Sequence, residues 1–283
     1  AAEFVRQNPG RNIDDAKVMF TLIQAPTDGV FGQRVTKARN HQNPVQSTNF
    51  TSLDQNQERL RQEIAHLGFA YHYRPEAAVT GEDAIALDEA LKALALQNSD
   101  PRYTVWLKTE ATRLATVDSA EYQSLFGEQL SGVVLVNAVH CHRAIRSLVI
   151  DYEQRAPLRS QERLVYRHGG NVISSVMLKR LRKSINSTNV IEPDGLSQLI
   201  SAELDALRET SAELFSRHAT NGPLSFFRNQ TDVIPYIAEV MEIHFNLSTD
   251  PAVQELRARH REDKDGYPRK RLINYLVSRA PQL

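Results

Sequence analysis

Residues 69–98, FAYHYRPEAAVTGEDAIALDEALKALALQN, change their period partway along. Phe69, Tyr71 and Tyr73 alternate with Ala70, His72 and Arg74, the spacing of a half-buried strand. Pro75 ends it. From Thr80 the pattern is helical, because Leu87, Leu91 and Leu94 fall on one face. That switch predicts an α+β chain that is predominantly α-helical. A small α/β portion covers residues 1–78, the remnant of a larger sheet, and an all-helical domain covers 79–283.

Upstream, Lys17–Gln24 (KVMFTLIQ) reads as a short buried strand, and Val30–Ala38 as a short helix with Phe31 and Val35 on one face. Ser52 with Gln55 three residues on has the form of a capping box. Leu60, Ile64 and Leu67 then mark a helical face that Gly68 stops. Two short strands do not make a stable sheet alone, so further strands are expected from elsewhere in a longer protein. The start at Ala1, without an initiator Met, carries the same expectation. Downstream, helices are predicted at about 119–127, 131–152, 158–185, 196–219, 229–246, 250–262 and 267–279. Asp100-Pro101 marks a break, and 186–194 and 221–223 are loops.

The chain has 283 residues, 41% of them hydrophobic and 24% charged, and a formal net charge of zero. It has the apolar content for a sizeable core. Bulk charge does not drive it onto nucleic acid, so any such contact rests on a local patch. Cys141 is the only cysteine, which excludes an internal disulfide and fits a reducing, cytoplasmic setting. No membrane span is expected. The most apolar run, Val133–Cys141, is interrupted by Asn137 and His140 and followed by Arg143.

The segment Arg34–Val45 concentrates hydrogen-bonding groups. Arg34, Lys37 and Arg39 are cations. Thr36, Asn40, Gln42 and Asn43 supply donors and acceptors suited to a phosphate, a base edge or a peptide backbone. The plainer alternative is that these amides only tie down a turn before Pro44. A second basic cluster, Lys179, Arg180, Arg182 and Lys183, is either a phosphate-binding face or a solvated helix surface. The C-terminal stretch adds Arg257, Arg259, Arg261, Lys264, Arg269, Lys270 and Arg271, offset by nearby carboxylates.

His140, Cys141 and His142 resemble metal ligands, but positions two apart on a helix point to different sides. A buried thiol is the expectation. His168-Gly169-Gly170-Asn171 reads as a flexible helix entry, since no Gly-Lys-Ser/Thr of a phosphate loop follows. Nothing in the sequence calls for a metal or a cofactor, and no catalytic pair stands out.

Taken together, Thr36, Lys37, Ala38, Asn40, Gln42, Asn43 and Val45, then Ser52, Asp54, Gln57, Leu60, Tyr71 and Tyr73, resemble the abortive-infection phage-resistance (AIPR) family. That family shows a Thr-Lys/Arg-Ala-x-Asn-x-Gln-Asn-x-Val stretch, a Ser-x-Asp start, a Gln-x-x-Leu helix and a short aromatic strand. Looser likeness continues through Glu121–Phe126 and Arg167–Gly170. Arg39 departs from the small residue the pattern carries, and the family's upstream Asn/Asp-Gly-x-Gln element has no counterpart in these 283 residues. The resemblance implies a bacterial antiviral-defence protein. The expected role is binding or sensing near nucleic acid or a phage component, through Arg34, Thr36, Lys37, Asn40, Gln42 and Asn43. Two other readings stay open. One is a nuclease or nucleotide hydrolase of a defence system. The other is a structural oligomerisation module, because Leu-rich helical faces pair between chains.

Overall fold

Asp54 opens the first described helix. A computed structural model describes residues 54–74, 81–219, 221–259 and 267–283. Asp54 takes an extended backbone, φ −80° and ψ 123°, and its carboxylate accepts the Asn56 N–H at 3.1 Å. A carboxylate there satisfies an orphan donor and meets the positive end of the helix dipole. Helix α1 (Gln55–His66) follows. The expected capping box is thereby corrected, since Gln55 is the first helical residue and Asp54 the cap. Ser52 lies outside the described residues. Leu60 and Ile64 of the predicted face are fully buried, and Leu67 is half-buried. Gly68, at φ +88°, donates to Ala65 O at 3.1 Å and stops the helix, a conformation that glycine adopts without strain.

Strand β1 (Ala70–His72) pairs in parallel with β2 (Ala84–Ala86), in the register Ala70↔Ala84, Tyr71↔Ile85, His72↔Ala86. The helical reading from Thr80 is corrected over β2, and helix α2 (Leu87–Gln97) begins only at Leu87. The reason is tertiary. Arg143 donates to Glu82 O at 2.5 Å and to Ala84 O at 2.6 Å. The same guanidinium grips both carboxylate oxygens of Glu89, at 2.8 and 2.7 Å.

The remaining described chain is helical. Asp100-Pro101 is a break, as expected, but it also starts a helix, because Asp100 accepts the Arg102 N–H at 2.9 Å. Helices α3 (Arg102–Thr109) and α4 (Ala111–Leu114) follow where none was predicted. Then come α5 (Ala120–Phe126), α6 (Gly132–Arg155) and α7 (Gln161–Arg180). Their N-caps are Ser119, Ser131 and Ser160, each accepting an N–H from the first turn. The helix predicted over 158–185 breaks at Leu181 into α7 and the short α8 (Arg182–Ile185). Next are α9 (Pro193–His218), α10 (Pro223–Phe226), α11 (Gln230–His244), α12 (Pro251–Ala258) and α13 (Lys270–Arg279).

Helix α6 is the hub and packs against α1, α2, α7 and α9. By length and composition it is apolar enough to cross a membrane, and it is the one such helix among the described residues. Its Leu135, Val136, Val139 and Ile145 are fully buried. Those side chains meet protein on several sides, which accounts for the high hydropathy as that of a core helix. Each buried Leu or Ile contributes roughly 1.5–3 kcal/mol.

Candidate functional site

The segment that sequence analysis favoured, with Arg34, Thr36, Lys37, Asn40, Gln42 and Asn43, lies outside the described residues. The motif residues that follow it are described, and they converge. Tyr71 donates to Gln57 Oε1 at 2.6 Å, Gln57 Nε2 donates to Tyr122 OH at 2.7 Å, and Tyr122 donates to Asp54 Oδ2 at 2.6 Å. Three elements supply this chain of side chains. Tyr71 comes from β1, Asp54 and Gln57 from the start of α1, and Tyr122 from α5. Gln57 and Tyr122 are fully buried. Burial pushes the Tyr71 and Tyr122 phenols well above their ordinary pKa, so both stay protonated as donors.

A second chain runs beside the first. Tyr73 donates to Glu58 Oε2 at 2.7 Å, and Arg61 clasps the same carboxylate at 2.6–3.2 Å. The Arg61 hydrogen bonds and then Tyr73 hold the Glu58 carboxyl at about 2. Arg74 lies 4.0 Å from Glu58 and 5.2 Å from the centre of the Tyr73 ring. These groups border a cleft of about 580 Å³ between α1 and β1, lined also by Ala65, Phe69 and His72. Arg61 and Arg74 are 46% and 56% exposed and share one carboxylate, so the cleft keeps a net positive charge and reachable guanidinium groups.

The four cations of the second cluster do not share one surface. Lys179 is buried, and its Nζ donates to Ser175 Oγ (2.6 Å), Ser175 O (3.2 Å) and Leu96 O (3.3 Å). Burial, then the neighbouring Arg182, lowers its pKa to about 7. Arg180 is also buried and pairs with Glu203 at 2.9 Å. Arg182 and Lys183 are exposed on α8, and Arg182 lines a separate cleft of about 610 Å³. The register break at Leu181 separates the two pairs. Of the C-terminal cations, Arg257 pairs with Glu242 and Arg259 with Glu255. Arg261 and Lys264 lie outside the described residues.

Cys141 is fully buried, and burial pushes its thiol up to about 12. His140 Nδ1 is 2.9 Å from Ile191 O, whereas His142 points to another side of α6 and lines a different cleft. The expected helix entry at His168–Asn171 is corrected. These residues sit in the middle of α7. Gly169 is there because a Cβ would lie 2.6 Å from Phe227 Cζ. Sequence analysis missed Tyr122 as a partner of the motif. Its position in the Glu121–Phe126 likeness was the available signal.

Comparison with protein families matches residues 3–221 to the family described as AIPR protein. No curated protein and no solved structure matches the chain.

Proposed function

The chain belongs to the AIPR family, whose name denotes abortive infection and phage resistance, and from that premise we propose that it acts in bacterial antiviral defence by binding nucleic acid. The observation that carries this reading is the cationic cleft between α1 and β1. Arg61 and Arg74 stand there on a rigid frame made of the family's own motif residues. Guanidinium groups on a preorganised frame suit phosphate contacts, which supply most of the affinity for nucleic acid. The segment Arg34–Asn43, with its amides and cations, is proposed separately as a contact for the same class of ligand. The setting is the cytoplasm, where the lone thiol stays reduced.

The test is a plaque assay beside a binding measurement. Asn40→Ala combined with Gln42→Ala is expected to abolish protection while the melting temperature is kept, since a polar-to-Ala change that only removes ligand contacts costs little stability. Arg61→Gln with Arg74→Gln is expected to lower affinity for single-stranded nucleic acid and to flatten its salt dependence. Full protection by the first variant together with unchanged binding by the second would sink the proposal.

A further inference from the structure

A smaller cleft of about 270 Å³ opens between α2, α6 and α7, away from β1. His142 and Arg146 face it from successive turns of α6, Lys92 from α2, and Arg167 from α7. His142 is 5% exposed, and its Nδ1 has no hydrogen-bond partner among the described residues. A buried ring nitrogen without a partner is uncommon in folded proteins. No ion pair or hydrogen bond engages the Arg146 side chain among the described residues. Lys92 is held by Asp88 at 3.2 Å, in a solvent-exposed pair that leaves its ammonium free to swing. Arg167 touches Glu153 only at 3.9 Å. Glu153 is the one carboxylate on the wall, against three cations.

We propose that this cleft binds a phosphoryl group, with Arg146 and Arg167 as the principal ligands and His142 as a buried hydrogen-bond donor.

Three cations face one carboxylate on the wall, and with Asp88 beside Lys92 counted the cleft still keeps a positive charge, which suits an anion. Guanidinium groups offer paired N–H donors in the geometry that phosphate oxygens accept. Burial, then the neighbouring Arg146, holds His142 down to about 4. It is therefore neutral at physiological pH, with one N–H to give. The Ser174 hydroxyl, on the same wall, adds a further donor. The volume lies just below the roughly 300–1,000 Å³ of sites that enclose a whole drug-sized ligand. It accommodates the charged group, with any organic moiety left outside. Two sources share this chemistry, free inorganic phosphate and a nucleoside monophosphate. The site is independent of the cleft beside β1 and of the nucleic-acid reading.

The test is calorimetric titration of the full chain with inorganic phosphate, adenosine monophosphate and adenosine. Saturable binding of phosphate is expected. Arg146→Gln and Arg167→Gln should each weaken it by about tenfold or more, the effect of losing one charge-assisted contact. Both residues are exposed, so the fold is kept, and the melting temperature checks this. Arg217→Gln, an exposed cation on α9, should leave affinity unchanged. If adenosine monophosphate binds more tightly than phosphate while adenosine is silent, the source is a nucleotide. Equal affinities point to free phosphate, and both results support the site. Absence of saturable binding, equal weakening by Arg217→Gln, or adenosine binding as tightly as its monophosphate would overturn it.

Discussion

Tyr122 donates its phenolic hydrogen to Asp54 Oδ2 at 2.6 Å, joining two residues 68 positions apart. Asp54 thereby has two tasks, since its other carboxylate oxygen caps α1. The same phenol accepts from Gln57, which in turn accepts from Tyr71. Asp54, Gln57, Tyr71 and Tyr122 are thus one hydrogen-bonded frame that fixes β1 against α1 and α5.

Removing the Tyr122 hydroxyl should unsettle that frame. Tyr122→Phe leaves the buried Gln57 amide without its acceptor and Asp54 Oδ2 without its donor. The expected loss is about 1–3 kcal/mol, the cost of unsatisfied buried polar groups. A double-mutant cycle with Tyr71→Phe should show coupling, because both phenols act through Gln57. Urea denaturation measures this, and strictly additive losses would refute a shared network.

Gly169→Ala tests the close approach of α7 to α10. In an open helix this change stabilises by roughly 1 kcal/mol. Here a Cβ would meet the Phe227 ring at 2.6 Å. That ring is stacked on Phe215 at 5.4 Å and held edge-on by Phe226 at 5.1 Å, so it has no room to retreat. Net destabilisation of about 1–3 kcal/mol is expected. Gly170→Ala, one residue on, meets only Val149 Cγ1 at 3.6 Å and should be neutral or stabilising. A lower melting temperature for the first variant alone is the result that supports the packing.

Lys179 should make stability pH-dependent. Its folded pKa is about 7 against 10.5 in the unfolded chain. Between those values the unfolded state binds more protons, so stability rises with pH. The gain should be on the order of a few kcal/mol between pH 7 and about 9, below the range in which the tyrosines titrate. Lys179→Met should remove this slope while keeping the aliphatic packing. Denaturation midpoints across that range decide it, and an unchanged slope in the variant would assign the effect elsewhere.

The thiol provides a folding readout. Cys141 is fully buried and its pKa is raised to about 12, so little thiolate forms and no reagent reaches it. Labelling of the native chain should follow global opening and accelerate sharply in denaturant. Rapid labelling without denaturant would show that α6 is not the core helix.

Much of the fold is legible in the sequence. The Leu60/Ile64 face, the stop at Gly68, the aromatic alternation of β1 and most of the later helices follow from local periodicity and turn chemistry, which act over a few residues. Strand Ala84–Ala86 was not legible. Three residues do not display a period, and their extended form depends on pairing with β1 and on Arg143 from α6. Helices α3 and α4 are hidden because Asp100-Pro101 carries the signal of an ending, while the Asp100 carboxylate that accepts the Arg102 N–H makes it also a start.

By itself the sequence determined the helical class, the family and the residue types that make up its motif, because these are local patterns along the chain. Only the tertiary structure decided what those residues do. It joined Asp54, Gln57, Tyr71 and Tyr122 into one frame, drew Lys179 and Arg180 into the interior and left Arg182 and Lys183 outside. It also set the orphaned His142 among cations from three helices. Burial and long-range contact cause these differences, because they change the free energy of a charge or a hydrogen bond without changing the residue that carries it.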